Sequence, residues 1–211
     1  MLRLRVDDFP GTKPEEFSRH NLVNFKEFHR IVAEHFSSYV LGVIPAHVHE
    51  SHLVWLLGHP EVCPALHGVD HREDGLLNEF PPYLTVDDIA KKLLQGLFKI
   101  YPSTPIDTYI PPHNVIDHAT CQALKMLGFK MVMGGPGMDR GINLCGLELC
   151  YSEFPWEYGR SDELLVRGSI EHLARESTKR DVWLTLHWPW ELNIGLHHLE
   201  KYLCELGRVI R

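Results

Sequence analysis

The opening segment LRLRVDDFPG alternates apolar and basic residues before it reaches a charged pair. A period of two is typical of a β-strand, so we predict a strand that begins almost at the first residue. This strand ends on two adjacent acids, Asp7 and Asp8. Because neighbouring carboxylates repel each other, a fold that ends a strand on them needs a cation, a proton or solvent to relieve the repulsion.

Strand and helix patterns alternate about seven times along the chain. Phe25, Phe28 and Val32, for example, recur at the spacing of one helical face. The predicted helices cover residues 17–36, 50–58, 85–101, 115–129, 161–177 and 195–207. The predicted strands cover residues 2–8, 39–46, 62–68, 105–112, 130–135 and 181–187, and an irregular glycine-rich stretch runs from 136 to about 157. Such alternation is typical of a parallel sheet, either doubly wound or closed into a barrel.

Acidic and histidine residues collect where the predicted strands end. In a parallel barrel these ends share one face, and that face carries the active site. The residues at the ends are Asp7, Asp8, His47, His49, His67, His71, His113, Asn114 and His187. His67 and His71 are four apart, so both imidazoles can face one ion, and Asp8 can supply a third ligand. Asp7 would then remain beside the metal as a base, although plain solvation of both acids also explains the pair.

Composition limits the classes of function. A chain of 211 residues that is 44% hydrophobic is expected to form one domain, residues 1–211. A net charge of −7 argues against nucleic acid as the main partner. No apolar run reaches the roughly 18 residues of a membrane span, and no signal peptide is recognisable, so we expect a cytoplasmic protein. The five cysteines form no CxxC pair, which disfavours a cysteine zinc site and a disulfide framework.

The segments VDDFP, HGVDH and LTLH occur in this order at three strand ends. In residues and order they resemble the motifs of the polysaccharide deacetylase family, which is family four of the carbohydrate esterases. The resemblance implies an irregular (β/α)7 barrel and a divalent metal, Zn²⁺ or another transition metal. It also implies that Asp8, His67 and His71 bind the metal, that Asp7 is the general base and that His187 is the general acid.

Two positions depart from the family pattern. Gly68 stands where the family usually has serine or threonine, and YIPPHN lacks the arginine that usually pairs with the base. In the first strand, Arg5 lies about 7 Å along the chain from Asp7 and on the same side, as does Arg3. We predict that Arg5 replaces the missing arginine, with a structural or solvated strand residue as the alternative.

The expected reaction is hydrolysis of the N-acetyl group of an amino sugar or saccharide. Trp188 and Trp190 either line the mouth and stack on a sugar or belong to the core. The other predicted substrate contacts are His47, His113 and Asn114. Two alternatives remain open: hydrolysis of a non-sugar amide on the same barrel, and an inactive barrel that binds a saccharide or a partner protein.

Two further motifs are weaker. The segment HVHESH, residues 47–52, resembles the His-x-His metal motif of amidohydrolase barrels, but those barrels are normally much longer chains, and substrate contact or a solvated loop explains the segment better. The glycine-rich GGPGMDRG has neither a GK[ST] ending nor a GxGxxG pattern. It is therefore expected to be a loop and not a phosphate-binding turn.

Overall fold

The computed structural model describes residues 1–13, 21–71, 79–100, 105–153 and 163–210. Within these ranges, seven parallel strands close into a barrel in sequence order. The strands are β1 (Leu2–Phe9), β2 (Tyr39–Val43), β3 (Val62–His67), β4 (Thr108–Ile110), β5 (Met131–Gly134), β6 (Glu148–Glu153) and β7 (Val182–His187). The helices are α1 (Asn21–Ala33), α2 (Glu50–Leu57), α3 (Val86–Ile100), α4 (His118–Met126), α5 (Glu163–Ser177), α6 (Trp188–Ile194) and α7 (Leu196–Ile210). The predicted irregular (β/α)7 barrel is confirmed.

The first and last strands close the barrel. Strand β1 pairs with β7 in continuous register, from Leu2 opposite Val182 to Asp7 opposite His187. On its other side β1 pairs with β2, but this register shifts between Val6 and Phe9. The closure therefore brings the acids at the end of β1 next to the histidine at the end of β7.

The core has a layer inside the barrel and a layer between the strands and the helices. Ala65, Ile110 and Met133 form the small apolar cluster inside the barrel. Leu4, which alternates with the inward-pointing Arg5, is completely buried in the larger cluster between strands and helices, as expected for parallel strands covered on both faces. Outside the barrel, the Phe25 ring of α1 lies 4.4 Å from the Phe9 ring at the end of β1. The helical spacing noticed in the sequence therefore marks the face of α1 that covers the barrel.

Two elements were not predicted. Strand β6 lies in the stretch expected to be irregular, and it pairs with β5 and β7. Its sequence, ELCYSE, lacks the apolar run that is typical of a central parallel strand. In the structure, middle residues such as Leu149 and Tyr151 are half-buried. Helix α6 starts directly after β7, in a segment for which the sequence predicted neither helix nor strand.

Boundaries also differ at several elements. Strand β2 ends at Val43, short of the predicted residue 46, because a 3₁₀ turn, Pro45–His47, follows it. Residues 17–20, 101 and 161–162 of the predicted helices lie outside the described ranges. Among the helices described, none combines the length and apolar character that a membrane span requires.

Candidate metal centre and active site

The backbone at the end of β1 turns two consecutive carboxylates toward the same neighbours. Asp8 has a left-handed backbone with φ of 69°, which aspartate tolerates better than most residues. This conformation interrupts the strand alternation, and the charge of His67 acts on the pKa of both Asp7 and Asp8. Both acids are buried, so their charges must be balanced by specific partners.

Asp8, His67 and His71 converge, and we call these three residues the carboxyl-end cluster. The Asp8 Oδ1 atom lies 3.1 Å from His67 Nε2 and 3.5 Å from His71 Nε2. One ligand atom from each residue lies within 4.8 Å of the other two. His67 Nδ1–H donates to the Ile110 carbonyl oxygen at 3.0 Å, which leaves Nε2 available as a ligand.

Two of the three ligands have the protonation state that a metal requires. Burial lowers the pKa of His67, but the hydrogen bond to Asp8 and the charge of Asp7 outweigh burial and raise it, so an ion must displace the His67 Nε2 proton. Burial opposes the charge of Asp8, but the hydrogen bond from His67 and the charges of His187 and His67 hold its pKa well below the usual value. Burial, helped by the neighbouring His67, lowers the pKa of His71 to about 4. Because metal ligands must be anionic carboxylates or neutral imidazoles, Asp8 and His71 are in the correct form at neutral pH.

Glu79 holds the loop that carries His71. Its Oε1 atom accepts the backbone N–H groups of Val69, Asp70 and His71 at 2.6, 2.8 and 2.9 Å. Gly68 has φ of 62°, and a Cβ there would lie 2.6 Å from the Glu79 carboxylate. The glycine that departs from the family pattern therefore makes room for Glu79. Sequence reasoning missed this acid, because no spacing rule connects it to the HGVDH segment.

The Arg5 guanidinium forms a bidentate ion pair with Asp7, the predicted base. Arg5 Nε donates to Asp7 Oδ1 at 2.7 Å, and Nη2 donates to Oδ2 at 2.5 Å. Its Nη1 group donates to the carbonyl oxygens of Met133 and Gly134 at 2.9 and 3.1 Å. Burial raises the pKa of Asp7, but the Arg5 charge, followed by His67, outweighs burial and lowers it.

The contact predicted between Arg5 and Asp7 is therefore present. Arg3, which the strand alternation places on the same side, instead pairs with Asp181 at the protein surface. The two arginines differ because Arg3 lies nearer the amino end of β1, where its side chain remains half-exposed.

His187 stands on the other side of Asp7. Its Nε2 atom is 3.8 Å from Asp7 Oδ2, and about a fifth of its side chain (21%) is exposed. Trp190 lies beside it, with 5.3 Å between the ring centroids, and is 64% exposed. His187 and Trp190 are thus accessible at the end of the barrel where the carboxyl-end cluster lies.

The prediction that Trp188 lines the mouth is wrong. Its side chain is only 1% exposed, and its Nε1–H donates to the Asp8 carbonyl oxygen at 2.8 Å. The ring also packs edge-on against Phe25. Helix α6 turns Trp188 into the core and leaves Trp190 outside, a separation that the strand-like spacing of the two tryptophans did not indicate.

The remaining predicted contacts divide into two groups. His113 lies near the carboxyl-end cluster, because its ring centroid is 4.9 Å from that of His71. Asn114 instead donates to the Pro136 carbonyl at 3.4 Å, and His47 Nδ1 is 2.7 Å from the Gly11 carbonyl oxygen. Within the described ranges, the groups able to hold a metal include neither His47 nor His49, so the amidohydrolase-like alternative gains no support.

Neither the models of protein families nor the sequences of curated proteins match this chain. Solved structures do. The Xyl-CE4 domain of a multidomain xylanase from the hindgut metagenome of Trinervitermes trinervoides aligns over 98% of this chain and 82% of its own, with a TM-score of 0.61 and 13% identity. The chain has the fold of the CE4 carbohydrate esterases. A sequence identity of 13% supports similarity of the fold alone. The family resemblance seen in the sequence is therefore confirmed for the fold.

Two further similar structures are a catalytic domain and a pseudoenzyme of this fold. The catalytic domain of a peptidoglycan N-acetylglucosamine deacetylase from Eubacterium rectale aligns with a TM-score of 0.52 and 11% identity, covering 98% of this chain and 83% of its own. A CE4 family pseudoenzyme from Bacillus anthracis aligns with a TM-score of 0.56 and 10% identity, covering 99% and 60%. The CE4 fold therefore occurs with and without catalysis, and the side chains must decide between them.

Proposed function

We propose that this protein is a metal-dependent deacetylase that removes the acetyl group from the nitrogen of an amino sugar. The juxtaposition of three metal-type ligands with Asp7 and His187 at one end of the barrel carries the proposal. A barrel that only bound a saccharide would need neither a buried carboxylate held in place by Arg5 nor an accessible imidazole beside it.

The donor set of the carboxyl-end cluster fits a divalent transition metal. One carboxylate and two imidazoles are typical zinc ligands, and the hydrogen bond from His67 to Ile110 sets the tautomer that presents Nε2. Asp8, His67 and His71 would hold the ion. When bound, Zn²⁺ or a similar ion polarises the amide carbonyl and lowers the pKa of a bound water.

Asp7 and His187 provide the proton transfers. Asp7 accepts a proton from the attacking water as the new C–O bond forms, and His187 donates a proton to the nitrogen as the C–N bond breaks. The products are acetate and a free amine. Because Asp7 Oδ2 and His187 Nε2 are 3.8 Å apart, a small movement or one water can return the proton and restore both groups.

The surroundings of the cluster suit a sugar. Trp190 offers an exposed aromatic face next to His187, and such faces pack against the apolar side of pyranose rings. His113 borders the cluster on the other side, beside His71. The His113 backbone N–H is a candidate for stabilising the developing oxyanion, since Pro112 has no N–H and the Asn114 N–H donates to the Pro111 carbonyl oxygen.

The decisive experiment measures acetate release from metal-loaded protein. We expect release from N-acetylglucosamine oligosaccharides after loading with Zn²⁺ or Co²⁺, and none after chelation. Simple N-acetyl amides that lack a sugar serve as the comparison. Faster release from those amides would favour the non-sugar hydrolase, whereas full metal loading and saccharide binding without any acetate release would identify an inactive barrel such as the similar pseudoenzyme.

A further inference from the structure

A second group of metal-type ligands lies at the opposite end of the barrel. It consists of His29 in α1, His59 just after α2 and Glu61 just before β3, and we call it the amino-end cluster. One ligand atom from each residue lies within 4.8 Å of the other two. Because Glu61 precedes β3, the cluster lies at the amino ends of the strands, away from Asp8.

His59 is oriented as a ligand. Its Nδ1–H donates to the Trp55 carbonyl oxygen at 2.7 Å. A carbonyl only accepts hydrogen bonds, so Nδ1 carries a proton and Nε2 is the ring nitrogen left to bind an ion. The imidazole also stacks on the Trp55 indole, with 4.2 Å between ring centroids and 24° between planes. The ring is therefore fixed before any ion arrives.

His29 is held in the same manner. Its Nδ1 atom is 3.0 Å from the Tyr39 hydroxyl, and its Nε2 atom is 3.3 Å from Glu61 Oε1. Only 12% of its side chain is exposed. Both ring nitrogens of His29 thus have a polar neighbour, which orients the imidazole.

The backbone fixes the turn that carries the other two ligands. Val62 N–H donates to the His59 carbonyl at 3.0 Å, and Tyr39 N–H donates to the Glu61 carbonyl at 3.2 Å. The same residue, Tyr39, thus binds the turn through its backbone and His29 through its hydroxyl. A site whose ligands are ordered in advance spends less binding free energy on ordering them.

One pair of ligand atoms has the separation that a small tetrahedral ion requires. Bonds of about 2.0–2.1 Å to nitrogen and oxygen separate neighbouring ligand atoms by about 3.3 Å in a tetrahedron, and His29 Nε2 lies 3.3 Å from Glu61 Oε1. We propose that the amino-end cluster is a second metal site, which binds Zn²⁺ or a similar divalent ion through His29, His59 and Glu61. Glu61 is one-third exposed (33%), so the ion enters from solvent.

The role of this second site is to stabilise the fold. The ion connects α1 to the turn between α2 and β3, two segments about 30 residues apart in the chain. Anything that binds the folded chain and not the unfolded chain raises the melting temperature. The site has its effect on stability and is independent of the proposed deacetylase activity.

The test separates the two clusters. A His67→Ala/His71→Ala background removes the carboxyl-end cluster, and we expect it to bind one Zn²⁺ per chain in equilibrium dialysis. At free zinc one hundredfold above Kd, its Tm should rise by about 5–10 °C. Adding His59→Gln should weaken zinc binding by at least about a hundredfold and reduce the Tm rise to no more than about 1–2 °C.

Glu61→Gln in the same background provides an independent variant, since it keeps the size of the side chain and does not touch the Trp55 stack. His172→Gln is the matched control, because His172 lies exposed on α5. It should change neither zinc binding nor Tm. The proposal is overturned if the background binds no zinc, or if His59→Gln and Glu61→Gln both retain the zinc and the Tm rise.

Discussion

The two ends of the barrel carry clusters of the same ligand types in different surroundings. At the carboxyl end, Asp8 and His71 have left-handed backbones, and all three ligands of that cluster are buried. At the amino end the ligands come from a helix and a hydrogen-bonded turn, and they are partly open to solvent. Left-handed backbone at non-glycine residues costs about 1–3 kcal/mol per residue and concentrates at functional sites.

The difference lies in the neighbours more than in the ligands. Asp7, held by Arg5, and the accessible His187 flank the carboxyl-end cluster. Trp55 and Tyr39 flank the amino-end cluster and orient its imidazoles. A metal with a base and an acid beside it can perform hydrolysis, whereas a metal surrounded by packing residues stabilises the fold.

The largest effect is expected from Asp8→Ala. Losing the only carboxylate of the carboxyl-end cluster should remove the metal there and lower kcat/KM by about a thousandfold, equivalent to about 4 kcal/mol of transition-state stabilisation. Elemental analysis should still find the ion at the amino end. Loss of all metal from a folded variant would show that the clusters are not independent, and full occupancy would contradict the carboxyl-end site.

Asp7→Asn comes next, because it keeps the shape of the base but removes its ability to accept a proton. We expect kcat to fall about a hundredfold or more with an unchanged metal content. Asp87→Asn is the matched control, since VDD recurs at residues 86–88, where Asp87 lies exposed in the first turn of α3. Near-normal turnover in Asp7→Asn would refute the assignment of the base.

Glu79→Ala tests whether the loop that carries His71 needs its carboxylate. Three backbone N–H groups would lose their acceptor, so we expect metal affinity at the carboxyl end to fall about 10–100-fold. Glu79→Gln keeps an acceptor oxygen and should lose less. Metal titrations of both variants in a His59→Gln background measure this site alone, and equal affinities would assign Glu79 no role in positioning His71.

The smallest effect is a change in pH dependence in Arg5→Met. Arg5 lowers the pKa of Asp7, and its loss raises that pKa. The base works when deprotonated, so the acidic limb of the kcat/KM profile should move to higher pH while metal content stays constant. Arg3→Met, two residues earlier in the same strand and paired with Asp181, should leave the limb in place. An unmoved limb in Arg5→Met would make Arg5 a purely structural residue.

Sequence reasoning predicted the features that depend on position along a strand. Asp8, His67 and His71 were grouped because the carboxyl ends of parallel strands must meet on one face, and the structure brings them together. Arg5 was found by counting along one strand. Strand β6 was missed because its residues carry a weak apolar signal, and Trp188 was misassigned because α6 begins directly after β7.

The pattern of the chain by itself thus determined a parallel α/β fold, the strand ends at which its acids and histidines collect, and the reach of Arg5 to Asp7, whereas the closed barrel was implied by the family resemblance. Only the tertiary structure decided that Trp188 is buried, that Glu79 holds the HGVDH loop, and that His29 meets His59 and Glu61. The physical reason is that the two sets of features depend on interactions of different range along the chain. Strand period and parallel topology act through the regular backbone, whereas these contacts join side chains from separate elements whose approach depends on packing.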